Sequence, residues 1–490
     1  MLIEDLRARF GEWLPDLPFN ENPGLVEAKN CLPVDDYYAD FPELAPSGAT
    51  LAATALGAFA AVDSSGDPEI YVGTADQLYE RVSGAWTARS AVTLGAAAYW
   101  RFAQFDDKVF ATDYNDDVRY KTIGAAADFA TLTAPKARQI GVINRFLVLG
   151  DIDQGAGAIP YGTQWSSINT PTDFPTPGTS TARARQAGQQ LLQAEHGAVT
   201  AIAGGQFWGL VFQKRAITRY TYVGGDIVFQ IDNFERSRGC WCPQSHVQVG
   251  NVSYFFAHDG VYATDGQLVK PLGDSKVDRW LTNRLNQGGL DNVTAGVDWA
   301  NKCIYWLFPT IGDTPDTILV YSLARNRFAW AEETAQLLFS SFSEATDVDS
   351  LGTQSVDSIG LSVDSPVWQG GVPTIMGIST AGQLGVFTGE SKDATFETGE
   401  SDQHPFGRIF IRGARPLVTG SPSAITVAIS TRDTQDNASR AFSSDTARTA
   451  RTGVCDFRQQ GRFIAARMSV VGGFDRAMGL GFDAEEGDGI

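Results

Sequence analysis

Side chains able to do chemistry are sparse in this sequence, and the patterned ones are acidic. The longest such pattern falls in 346–371, where Val348-Asp349-Ser350, Val356-Asp357-Ser358 and Val363-Asp364-Ser365 echo one another and no basic residue intervenes. Asp347, Asp349, Asp357 and Asp364 could line a passage where negative charge is wanted, or the segment could be a solvated loop. A calcium site needs several oxygen ligands in alternation, and this spacing does not supply them. His196, His246, His258 and His404 stand far apart. His258-Asp259-Gly260 reads as a hairpin turn, with the glycine free to take positive φ. Cys31, Cys240, Cys242, Cys303 and Cys455 are odd in number and scattered. That is no disulfide framework, and the lone Cys240-Trp241-Cys242 reads as buried thiols rather than a metal site. Phosphate-loop, zinc-protease and nucleophile-elbow signatures do not occur. Sialidase-type Asp-boxes are missing too: Ser64-Ser65-Gly66-Asp67 and Thr264-Asp265-Gly266 lack the tryptophan at its place. A carboxylate pair can come from anywhere in a chain, so 57 Asp and Glu identify none. No cofactor, metal or catalytic residue is expected.

The elements that would have to position any such group are short strands. Aromatic-rich runs such as 71–74, 108–112, 145–149, 207–212, 253–257 and 303–308 are each followed by a Gly, Asp or Asn turn and a second strand. Repeats of this kind predict a β-propeller, of six or seven blades. The clearest four-strand units are 199–203, 207–212, 217–222, 227–232 and then 247–249, 254–257, 260–264, 267–270. Asp274 is expected to cap a helix carrying Val277, Trp280, Leu281 and Leu285. Residues 2–10 predict a short amphipathic helix, 24–33 a strand, 35–46 a loop, and 151–185 a long projecting connection. From residue 394 the strands lengthen and alternate as in a β-sandwich. The expected organisation is therefore an N-terminal arm over 1–50 that contributes to a platform domain, a propeller over 51–390, and a β-sandwich platform over 391–490.

Charge narrows the partners. The formal net charge is −19, which argues against a sequence-reading nucleic-acid binder, since such a protein needs a basic footprint. An acidic wall past which DNA slides is compatible with it. Glu4, Asp5, Arg7 and Arg9 stand where a secretory leader would be apolar, and no apolar run reaches membrane-spanning length. Synthesis in a cytoplasm is expected.

Several short motifs carry a resemblance. Trp165-Ser166-Ser167-Ile168-Asn169-Thr170-Pro171-Thr172-Asp173-Phe174 is similar to a W-S-x-I-N-x-P-x-D-F stretch of bacteriophage tail proteins. Arg238-Gly239-Cys240, Val247-Gln248-Val249-Gly250-Asn251, Asp259-Gly260-Val261-Tyr262 and Leu272-Gly273-Asp274 leading into Val277-Asp278-Arg279 add to it. Tyr321 with Arg327-Phe328 follows, with Phe328 where the family tends to have Trp. In this order they resemble the tail nozzle or hub (packaged-DNA stabilisation) proteins of short-tailed bacteriophages, the podoviruses. The resemblance implies a propeller with a platform domain, assembled as a homo-oligomer, commonly a hexameric ring. It implies a place in the virion tail, made in the host bacterial cytoplasm, beneath adaptor and portal rings and beside tail fibres or spikes. Phage DNA would pass through the lumen without sequence-specific binding, and the host outer surface is a further contact. The family brings no catalytic residues. A propeller enzyme or a lectin acting on host surface glycans is the alternative, because 11 Trp and 14 Tyr could stack on sugars.

Overall fold

The computed structural model of the chain describes residues 6–342, 372–402, 407–435 and 440–486. Strands dominate these residues, and the α-helices among them are Ser180–Ala184 and Asp278–Arg284. The cause is local. Cys303–Phe308 and Thr317–Ser322 are built from β-branched and aromatic side chains, and all of their residues are buried, which suits a pleated surface covered on both sides. Asp106, Asn144, Lys302 and Asn326 sit at positive φ and turn the chain between strands.

Among the described residues there are six four-stranded antiparallel sheets, and a further four-strand meander forms one end of a ten-stranded sheet. In chain order these seven units cover 57–88, 101–131, 136–191, 199–235, 247–271, 294–332 and 335–391. The seventh unit draws its fourth strand from far away. Pro42–Thr50 pairs antiparallel with Gln383–Ser391, setting Ala45 opposite Val386 and Leu44 opposite Phe387.

Neighbouring units bury an apolar cluster between them. Units one and two share Tyr71 and Trp100; two and three share Phe110 and Leu147; three and four share Phe146 and Val211. Units four and five share Phe212 and Phe255, while Phe256 of the fifth packs with Trp306 of the sixth. The seventh unit gives Phe339 and Met376 to a cluster with Ile70 and Val72 of the first. Burying each such aromatic or aliphatic side chain stabilises the fold by roughly 1.5–3 kcal/mol.

The C-terminal segment forms two sheets completed by N-terminal strands. In one, Ile409–Gly420 lies between Cys455–Gly461 and Phe474–Glu486, and Leu6–Arg9 and Tyr37–Asp40 add to the latter. In the other, Leu25–Lys29 runs antiparallel to Ala394–Thr398 and touches the sixth unit through the parallel pair Lys29 and Trp330. The sixth unit is thereby continuous with the C-terminal strands. One core includes Trp306, Phe41, Tyr38 and Phe396, so no water layer separates these parts.

Four expectations change. Within 2–10, Leu6–Arg9 is a strand paired with residues 479–482, not a helix. The predicted loop over 35–46 contains Tyr37–Asp40 and the start of Pro42–Thr50. The connection predicted over 151–185 is shorter, because Phe146–Asp153 runs on and Ala158–Trp165 returns beside it. Asp274 makes no side-chain cap for the helix, which begins at Asp278. The thiols of Cys240 and Cys242 are buried as expected, in the chain just before a 3-10 turn.

Candidate functional site: an acidic cleft where the motif residues meet

Asp347, Asp349, Asp357 and Asp364 lie outside the described residues. The strands flanking their segment, Ala335–Phe342 and Pro373–Ser379, are hydrogen-bonded neighbours, with Phe342 opposite Pro373. Both ends of the segment therefore start from one edge of the seventh unit.

Other motif residues converge. A cleft of about 540 Å³ is lined by Asp16, Glu235, Arg238, Asp259, Tyr262 and Asp278, among others. Its floor is the joint between the fifth unit and the Asp278–Arg284 helix. Asp278 places a carboxylate at the helix start, where exposed N–H groups favour negative charge. Its Oδ1 accepts from Val261 N at 3.0 Å. Gly260 and Gly273 give it room, since a Cβ on either would overlap the carboxylate. The cap comes from the N-terminal arm: Asp16 Oδ2 accepts from Arg279 N and Oδ1 from Trp280 N, both at 2.8 Å. The Asp259-Gly260-Val261 and Leu272-Gly273 motifs thus acquire a packing reason, which is to seat Asp278.

A second group forms the wall. Arg238 Nε donates to Asp259 Oδ2 at 2.9 Å and to Tyr262 Oη at 2.8 Å, and Tyr262 Oη donates to Asp259 Oδ2 at 3.0 Å. The guanidinium also lies over the Tyr262 ring, 5.2 Å from its centroid. The bond to Asp259 raises the pKa of Arg238. Burial and then the hydrogen bond to Asp259 push Tyr262 up to about 12.

Electrostatics concentrate on Asp278. Burial, then the charges of Asp16, Asp259 and Asp274, push its carboxyl up to about 6 against the Val261 N–H. Burial also raises Asp16, opposed by the two N–H groups it caps. Burial works the same way on Glu235, but the Ser237 hydroxyl and nearby backbone N–H groups outweigh it and hold the carboxyl below its usual range. A carboxylate titrating near 6 in a cleft is the kind of group that general acid catalysis uses. Here, however, Asp16 and Asp278 are both committed to backbone donors. Among the described residues, no group of three or more His, Cys, Asp or Glu is placed to hold a metal ion.

The Trp165–Phe174 motif lies elsewhere, as a folded corner of the third unit. Ser167 Oγ donates to Asp173 Oδ2 at 2.5 Å, and Arg185 Nη1 binds the same oxygen at 2.7 Å. Asn169, at φ 58°, accepts from Arg145 Nε at 2.6 Å. Tyr321 and Phe328 pack with ring centroids 4.9 Å apart in the large core.

No family model matches the chain, and no curated protein matches it. Among solved structures it is similar to the extracellular domain of a putative hybrid two-component system from B. thetaiotaomicron. The TM-score is 0.39 and the identity 10%, over 78% of this chain and 43% of that one. This chain spans less than half the length of that structure, and a likeness so slight carries no argument about fold or function.

Proposed function

We propose that the seven units close as a seven-bladed propeller, that the two C-terminal sheets pack as a β-sandwich platform, and that the protein is a structural ring component of a short-tailed phage tail. In this reading copies of the chain surround a lumen that retains packaged DNA and conducts it during ejection. The observation that carries the proposal is the cycle of apolar interfaces. Each unit shares buried side chains with the next, and the seventh shares Phe339 and Met376 with Ile70 and Val72 of the first. Strand Pro42–Thr50, which precedes the first unit in sequence, completes the seventh, and this supports a closed arrangement.

Mechanical continuity supports a building role. The sixth unit and the platform strands share a sheet and a core, so a load on one is borne by the other. The motif-rich cleft is committed to that framework rather than to an open catalytic array. DNA would pass between copies and not through the disc. A net charge of −19 keeps the polyanion from adhering, with repulsion reaching about one Debye length, ~8 Å at physiological salt. Phe207, Ile227 and Leu268 are exposed on turns of the fourth and fifth units, and they offer apolar surface to a neighbouring copy.

The test is genetic and physical. Particles made without this chain should package DNA and then lose it, leaving heads whose genome is open to added nuclease. Full, infectious particles lacking the chain would overturn the proposal. The glycan-enzyme reading is favoured only by Asp278. It would displace the structural one if the pure chain cleaved a surface glycan and Asp278→Asn abolished turnover.

A further inference from the structure

A cavity of about 170 Å³ has a chemistry that the tail reading does not use. Its wall includes Phe59 of the first unit, Arg101 of the second, Thr294 of the sixth and Phe339 of the seventh, with Gln244 and His246 from the turn before the fifth. Arg101 follows Trp100 on the innermost strand of its sheet, and its Nε is sealed from solvent with no hydrogen-bond partner. No carboxylate among the described residues pairs with it, and none lines the cavity. Burial lowers the pKa of its guanidinium, although arginine remains charged in proteins. Arg101 is partly buried and opens on this space, so a cation without a paired carboxylate is left facing it, and an occupant that supplies a counter-charge would stabilise the fold.

We propose that this cavity binds a small oxyanion, of the size and charge of inorganic phosphate, on Arg101. Two further polar groups of the lining, Thr294 and His246, can act as donors. Thr294 Oγ1 accepts from Leu338 N at 2.9 Å, leaving its own proton to give. His246 Nε2 lies 3.2 Å from Ser253 Oγ; when that hydroxyl donates, Nδ1 carries the ring proton. Burial, reinforced by the Arg101 charge, pushes His246 down to about 3, so its ring is neutral. Gln244 is turned away, donating to Asp291 O at 2.7 Å. A volume of about 170 Å³ is several waters' worth at ~30 Å³ each, enough for a tetrahedral oxyanion. Because the wall joins the first two units to the last two, the anion fastens the disc where its ends meet. The proposal is independent of whether copies assemble around DNA.

Isothermal titration of the full chain with inorganic phosphate, at ionic strength held constant with sodium chloride, should give one saturable site per chain. Saturating phosphate should raise the Tm by roughly 2 °C or more over the chloride control. Arg101→Gln should weaken phosphate binding by at least ~10-fold, the loss expected for a charge-assisted pair. Arg101→Lys, which keeps the charge but not the planar fork, should fall between the two. No saturable binding by the wild-type chain would overturn the proposal whether or not the variants fold. Equal affinity in Arg101→Gln, or the same Tm rise in chloride, would also overturn it.

Discussion

Asp278 joins three separate stretches of sequence, because it starts a helix, holds the Val261 N–H and fills the space left by Gly260 and Gly273. Its carboxyl titrates at about 6 when folded against a model value of 3.8, which has a signed consequence. The folded state holds the proton more tightly than the unfolded one. The stabilisation this gives is complete below pH 3.8 and is lost as pH rises through about 6. Asparagine keeps the acceptor for Val261 and cannot ionise. Asp278→Asn should therefore match the wild type in urea midpoint near the lower limit and exceed it above the upper one. A midpoint difference that does not change with pH would contradict this. The sequence placed Asp278 in a motif but gave no sign of its cap. Asp16 lies more than 260 positions away, and nothing in the local pattern links the two. Arg101 carries no motif in the sequence, although a cation set between the aromatics Trp100 and Phe102 is the sort of signal that marks an internal site.

Several strands whose partners are close in sequence were readable, though not Tyr37–Asp40, which pairs with Cys31–Val34. The runs 71–74 and 108–112 declare themselves through their aromatics and the Asp or Gly turns that follow, and paired strands stand there. Some strands whose partners are distant did not, although Leu25–Lys29, paired with Ala394–Thr398, falls within the strand expected over 24–33. Pro42–Thr50 begins at a proline, carries few large side chains and pairs with residues 383–391; Leu6–Arg9 pairs with the far end of the chain. Ala158–Trp165 was hidden by its own Pro160 and Gly162, residues that normally interrupt strands. Strand glycines carry another signal, namely the close approach of the next sheet. Gly57 and Gly73 flank Trp100, whose Nε1 donates to Thr74 O at 2.7 Å in the buried seam between units one and two. A Cβ at Gly73 would overlap the indole. Gly73→Ala should cost about 1–3 kcal/mol of unfolding free energy through overpacking, read from denaturant midpoints. A neutral or stabilising substitution would mean that the seam is looser than described.

At the scale of the whole molecule, net charge and architecture act together. A chain carrying −19 resists association unless contacts between copies bury enough apolar surface to offset repulsion, so exposed Phe207 and Ile227 are informative. All-β character was readable from composition and turn spacing. Which unit packs against which was not, because it depends on which sheet faces bury each other. The acidic segment 346–371 was the most patterned stretch of the sequence, and a place on the lumen wall remains a proposal for it. The most direct measurement is two-dimensional class averaging by electron microscopy of the full chain, alone and mixed with portal and adaptor proteins of a short-tailed phage, the partners that the proposed function implies. The account predicts a closed ring of identical copies with an open axis wide enough for a duplex. Solitary discs in both preparations, never joined to one another or to the portal, would contradict it.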